Sequence, residues 1–258
     1  MMRPMQQSDS LVNALGHGMA DKRIDILRQI GQGGSISQAA RAVGVSYKAA
    51  WQALDTLTNL AGAKLVERVV GGVGGGGARL TAAGEQLLAA ADAVRQARAS
   101  TLAQFDQGGV DQAAARLLVR TSMRNQWPCV VQGMQARGQI VRVHLRGAGD
   151  AAAGLALTAL ITRESAELLG LHPGMPVQAL CKATAVRVLA PAKVQALNDS
   201  NHWPGRVRRV SRGALGDEVA AELDAGVQMV GFAAPASGLR ARARVLLSLE
   251  ESAVVLAV

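Results

Sequence analysis

Ser35-Ile36-Ser37-Gln38-Ala39-Ala40-Arg41-Ala42-Val43-Gly44-Val45-Ser46-Tyr47-Lys48-Ala49-Ala50-Trp51 is the stretch that decides the N-terminal fold. A serine opens each half, where a hydroxyl can accept from a free first-turn amide, and Gly44 supplies the turn between them. This predicts a compact helix over 35–43 and a second from the Ser46 cap to about Leu60. Along the second helix Ala50, Leu54, Leu57 and Ala61 make an inward stripe, while Lys48, Gln52, Asp55 and Asn59 recur on another face. Two short helices joined by a tight glycine turn read as a helix-turn-helix.

The flanks extend the pattern. Upstream, Ile24, Leu27 and Ile30 share a helical stripe ending at Gly31. Downstream, Lys64–Val70 and Ala78–Leu80 read as two strands around the glycines of 71–77, a hairpin with a loose tip. That glycine run lacks the Gly-Lys-Ser/Thr ending of a phosphate-binding loop and does not open a helix. Thr81-Ala82-Ala83-Gly84-Glu85-Gln86-Leu87-Leu88 then starts an Ala-rich helix reaching about Phe105.

From Leu117 the chain changes to short β-branched segments and repeats itself. Trp127-Pro128-Cys129-Val130-Val131 recurs as Trp203-Pro204-Gly205-Arg206-Val207, and Ala185–Leu189 as Ala253–Ala257. The offsets are 76 and 68, so the later copy is about eight residues shorter. Two small β-barrels follow, since short strands need closure to hide their edges.

Totals narrow the function. The net charge of +9 favours an anionic partner, nucleic acid first, yet residues 1–115 carry only +2 and residues 116–258 carry +7. With 2% aromatics the cores must be built from Ala, Val and Leu, which makes Trp51, Trp127 and Trp203 landmarks. Cys129 and Cys181 are too few for a disulfide framework and are expected as buried thiols. The opening residues have no apolar signal core, and the longest charge-free stretch, Ala225 to Leu239, is too short to span a bilayer. A cytoplasmic protein without a membrane role is expected. His17, His144, His172 and His202 have no metal-ligand spacing, and no nucleophile has an ordered base, so no enzyme and no metal or organic cofactor is expected.

Together the Ser-Gln-Ala-Ala-Arg-Ala-Val-Gly-Val-Ser-Tyr-Lys-Ala-Ala-Trp and Leu-Thr-Ala-Ala-Gly-Glu-Gln-Leu-Leu stretches resemble the winged-helix module of the ModE regulators and, more distantly, LysR-type regulators. The resemblance implies a homodimer on double-stranded operator DNA, with 81–105 as its long dimerisation helix. The candidate DNA contacts are Ser46, Tyr47, Lys48, Trp51 and Gln52 on the reading helix and Arg68 and Arg79 on the wing. In the second half Ser122-Met123-Arg124-Asn125, Thr162-Arg163-Glu164-Ser165 and Lys182-Ala183 resemble the motifs of the Mop or TOBE molybdate-binding domain. That implies a molybdate site, with tungstate as a substitute, formed by Ser122, Arg124, Thr162, Ser165, Lys182 and the Ala183 amide and built between two subunits. A doubly charged oxyanion needs such cations and neutral donors, because its lost hydration must be replaced. In the second copy Ser200 stands for Arg124 and Glu250 for Lys182, so that copy is expected to bind no oxyanion in the same way.

The whole is read as an α+β multidomain chain: a disordered 1–21, a winged helix-turn-helix over 22–106, a linker at 107–116, and tandem OB-like Mop/TOBE barrels at 117–191 and 192–258. The function expected is molybdate-controlled DNA binding. The alternative is an intracellular molybdate store with little DNA-binding role.

Overall fold

The computed structural model describes residues 22–69, 77–104, 121–149, 152–190 and 201–258. The expected disordered start, the hairpin tip and the 107–116 linker fall outside these residues. The chain forms two units, one holding the described residues up to 104 together with 163–171, the other holding 121–162 and 172–258.

In the first unit, helices α1 (Lys22–Gly33), α2 (Ile36–Val43) and α3 (Tyr47–Ala61) precede strands β1 (Val66–Val69) and β2 (Gly77–Leu80) and helix α4 (Ala82–Gln104). The serine caps form as expected: the Ser35 hydroxyl accepts from the Gln38 amide and Ser46 from the Ala49 amide at 3.1 Å. Gly44 takes the left-handed conformation, φ 70°, that ends α2. The core comes from Ile26, Leu27, Ile30, Ile36, Ala40, Ala50, Ala53, Leu54, Leu57 and Leu65. Two details differ from the sequence pattern. α1 runs past Gly31 to Gly33, and Ala61 is exposed because left-handed Gly62 stops α3 there, one turn beyond its last packed residue Leu57.

β1 and β2 are antiparallel, with Val66 opposite Leu80 and Glu67 opposite Arg79. The Thr-Ala-Ala-Gly motif has a physical reason. The Thr81 hydroxyl donates to the Lys64 carbonyl at 2.6 Å and accepts from the Gly84 amide, while the Thr81 amide donates to the Leu65 carbonyl. A Cβ at Gly84 would lie 2.3 Å from that carbonyl oxygen, so the close approach of helix to wing requires glycine.

The second unit contains β3 (Asn125–Arg137), β4 (Ile140–Gly147), β5 (Ala156–Thr162), β6 (Pro176–Cys181), β7 (Arg187–Leu189), β8 (Asn201–Ser211), β9 (Asp217–Leu223), β10 (Gln228–Ala233), β11 (Arg244–Leu249) and β12 (Val255–Ala257). β5 leads straight into helix α5 (Arg163–Leu169), which belongs with the first unit. The two copies share one strand order: β12-β6-β3-β4-β5 in the first sheet, and β7-β11-β8-β9-β10 in the second, where a parallel Phe232 to Arg187 pairing closes the barrel. The first copy is a five-stranded sheet, with no ladder joining β5 to β12.

The copies exchange their last strands. β7, from the first copy in sequence, pairs with β11, while β12 pairs with β6. Each of the expected segments, 117–191 and 192–258, therefore supplies one strand to the other's sheet. Paired side-chain bonds join the copies. Asn125 exchanges two hydrogen bonds of 2.8 Å with the Val230 backbone, and Asn201 two of 2.7 Å with the Thr158 backbone. Trp127 Nε1 donates to the Gln228 carbonyl and Trp203 Nε1 to that of Ala156. All four of these side chains are buried.

Candidate functional site

The reading-helix candidates lie together on the first two turns of α3. Tyr47 is 54% exposed and meets Trp51 edge to face, ring centroids 6.3 Å apart. Ser46, Lys48 and Gln52 are exposed, whereas Trp51 is half-buried, its ring also packing against the helical core. Such a face offers donors and acceptors at one helix end, the chemistry a groove and its phosphates require. On the wing Arg79 is not presented alone: its Nε donates to Glu67 Oε1 at 2.6 Å, across the strands. Arg68 stands opposite Ala78.

Sequence reasoning missed two partners of α3. The Glu167 carboxylate of α5 accepts the Ser46 amide at 2.9 Å, and Glu164 Oε1 is 2.6 Å from Lys48 Nζ. In the sequence Glu164 is only a spacer between Thr162 and Ser165.

The oxyanion candidates are partly united by strand register. In the β3–β6 ladder Asn125 is paired with Cys181, so Arg124 and Lys182 each stand one residue outside this terminal pair, on adjacent strand ends. Both are exposed. Lys182 caps a 3-10 turn, Ala183–Ala185, in whose first turn the buried Ala183 contributes an amide without an acceptor inside the turn. Ser122 is exposed just ahead of Arg124. Thr162 is placed elsewhere: it pairs with Ile140, which pairs with Arg137, at the opposite end of β3 from Asn125. Ser165 is half-buried in α5, two residues after the strand-to-helix junction that the sequence predicts.

Arg124 also has an acidic partner, Glu218 Oε2, at 2.6 Å from Nη1. Glu218 lies on β9, and Arg209 approaches its other oxygen at 3.7 Å. An oxyanion taken up by Arg124 would therefore compete with a carboxylate. In the second copy Glu250 caps the 3-10 turn Glu251–Ala253 with φ −67° and ψ 141°, against −69° and 138° at Lys182. The backbone is preserved while the cation is replaced by an anion. Ser200 lies outside the described residues.

Both thiols are free and buried, as expected. Burial pushes Cys129 up to about 12 and Cys181 to about 11, partly opposed by hydrogen bonds involving Ala179 and Asn125 respectively. Among the described residues no cluster of three or more His, Cys, Asp or Glu could hold a metal ion, and no helix is long and apolar enough to cross a membrane.

With this geometry in hand, comparison with known proteins gives a consistent result. Residues 22–85 match the bacterial regulatory helix-turn-helix family of LysR type, and residues 121–188 match the TOBE domain. The chain is 37% identical to the molybdenum transport protein ModE of Azotobacter vinelandii over 227 residues, 84% of this chain and 82% of that protein. It is 36% identical to the DNA-binding transcriptional dual regulator ModE of Escherichia coli K12 over 207 residues, 77% and 76% of the two chains. The chain belongs to the ModE family. A further relative is the molybdenum-pterin-binding protein MopB of Rhodobacter capsulatus, 39% identical over 214 residues, 82% of this chain and 78% of that one. A solved structure of the cytoplasmic molybdate-binding protein ModG, with molybdate bound, aligns at a TM-score of 0.50 and 26% identity, covering 54% of this chain and 99% of ModG. The chain thus carries a LysR-type helix-turn-helix region followed by a TOBE domain.

Proposed function

We propose that this chain is a cytoplasmic, homodimeric regulator that binds operator DNA through α3 and the wing under the control of molybdate, with tungstate as a substitute. Ser46, Tyr47, Lys48, Trp51 and Gln52 meet the groove and its phosphates, and Arg68 and Arg79 flank the wing's approach to the backbone. Molybdate is held by Ser122, Arg124, Lys182 and the Ala183 amide, with Thr162 and Ser165. The observation that carries this is the register that sets Arg124 and Lys182 on neighbouring strand ends. Two cations so placed offset a dianion better than isolated ones would. Thr162 lies at the other end of the first sheet, which suits a site shared between two copies of the chain. When bound, molybdate supplies only charge and acceptor oxygens; the chain supplies donors and the displacement of Glu218 from Arg124.

Titration calorimetry of the full chain with molybdate and with tungstate tests the site. About one oxyanion per chain is expected, with binding lost in Arg124→Ala and Lys182→Ala. Two equivalent oxyanions per chain would contradict the reading that the Glu250 copy is structural. A gel shift with and without molybdate separates regulation from storage: a store would show no effector-dependent shift.

A further inference from the structure

The amino end of the reading helix is already engaged by carboxylates. Glu164 salt-bridges Lys48 at 2.6 Å while itself only 6% exposed, and Glu167 accepts the Ser46 amide at 2.9 Å. A backbone N–H at a helix start and a nearby ammonium are the donors that a DNA phosphate takes. The two glutamates are three residues apart on α5 and so project from one side of it. Leu168 of α5 packs against the helical core of the same unit, so the contact is anchored by apolar packing as well as charge.

We propose that α5 is an intramolecular phosphate mimic: in the state described here it occupies the phosphate-binding donors of α3, and molybdate releases it. This rests on the functional reading above and names its regulation. The link is covalent and short. α5 begins directly after Thr162 and contains Ser165, the two hydroxyls assigned to molybdate, so the same seven-residue helix carries an effector contact and both covering carboxylates. A ligand shifts such an equilibrium only through different affinity for its two states. Molybdate therefore binds better to the chain with α5 withdrawn from α3, and by linkage DNA and molybdate favour each other.

The test uses the full chain, fluorescence anisotropy at fixed salt, and a duplex enriched from a random library by the wild-type protein in molybdate. Glu164→Gln with Glu167→Gln is expected to tighten DNA binding without molybdate by about tenfold, the scale of losing charge-assisted contacts. Molybdate should then improve DNA binding by a correspondingly smaller factor. Calorimetry should show the double variant binding molybdate more tightly than wild type, because the cost of release is gone. A general effect of removing negative charge would raise DNA affinity equally with and without molybdate, and that outcome overturns the gate. So does a double variant indistinguishable from wild type. If the double variant loses its cooperative unfolding transition, Glu167→Gln alone, which removes the exposed contact, should move both affinities in the same direction by a smaller factor; no movement again refutes the gate. A wild-type chain that binds DNA and molybdate independently overturns both the gate and the regulatory reading, whereas wild-type coupling with unmoved variants overturns the gate alone.

Discussion

Replacing Asn125 and Asn201 separately by alanine should cost nearly the same stability yet have unequal consequences for molybdate. Each amide satisfies one backbone N–H and one carbonyl of a strand from the other copy, and each is only 2% exposed. Truncation leaves those two β-strand groups buried without partners, at roughly 1–3 kcal/mol apiece, so a loss of about 2–6 kcal/mol is expected in either variant. Only Asn125 adjoins Arg124 and faces Cys181, the neighbour of Lys182. Loosening that ladder end should weaken molybdate binding strongly, whereas Asn201, beside Glu250 in its own ladder, reaches the site only through β5 at Thr158, four residues from Thr162, and should weaken it less. Urea unfolding followed by tryptophan fluorescence reads the first effect, since Trp127 and Trp203 both report on the β-rich unit. Calorimetry without urea, where both variants are folded, reads the second. A cost below about 1 kcal/mol in either variant would refute the energetic reasoning. Equal loss of molybdate affinity in both would refute the asymmetry between the copies.

Lys48→Ala should weaken DNA binding and lower the slope of log affinity against log salt by about 0.9, one phosphate's worth of counterions, checked by titration at several salt concentrations; an unchanged slope removes Lys48 from the phosphate contacts. Gly84→Ala should destabilise the N-terminal unit, since its Cβ would stand 2.3 Å from the Leu65 carbonyl oxygen; the measurement is the unfolding midpoint followed by circular dichroism, with loss of DNA binding in parallel. The folded thiols titrate at about 12 and about 11, above the ordinary value of 9.0. Their protons are therefore kept in the folded chain and lost first from the unfolded one, so this contribution is intact below about pH 8.5 and fades as pH rises above it. Iodoacetamide at pH 8.5 should label neither cysteine in the native chain and both in urea.

The helix-turn-helix was legible because its signals are local. A serine hydroxyl, a first-turn amide three residues on and a left-handed glycine are all fixed by neighbours in the chain, and Ser35, Ser46 and Gly44 act as their spacing says. The repeat was legible too, and more of it than Trp-Pro: Asn125 and Asn201 precede the tryptophans by the same two residues and play the same role. What a repeat cannot reveal is which copy a strand pairs with, because β7 and β12 carry equivalent patterns and either sheet satisfies their hydrogen bonds. The ion pairs of Arg124 with Glu218, and of Lys48 with Glu164, join residues 94 and 116 positions apart, and no local spacing announces them. Thr162 illustrates the boundary between the two kinds of information. Its place at the end of a strand was readable; its distance along the sheet from Asn125 was not.

The strand exchange also explains why a copy with a glutamate in place of the cation can persist. β12 completes the first sheet by pairing with β6, the strand that leads into Lys182. Trp203 and Asn201 hold the backbone of β5 at Ala156 and Thr158, and β5 is the strand that ends in Thr162. The second copy thus positions two elements of the proposed oxyanion site without contributing a cation to it; the charge it brings there is the Glu218 carboxylate beside Arg124. Its framework residues, buried asparagine and tryptophan, answer to the packing of both copies, whereas Glu250 lies exposed at a turn whose backbone angles are indifferent to the side chain. Charge at that turn can change freely; the asparagine and tryptophan beside it cannot, because each would leave strand backbone of the partner copy buried and unpaired.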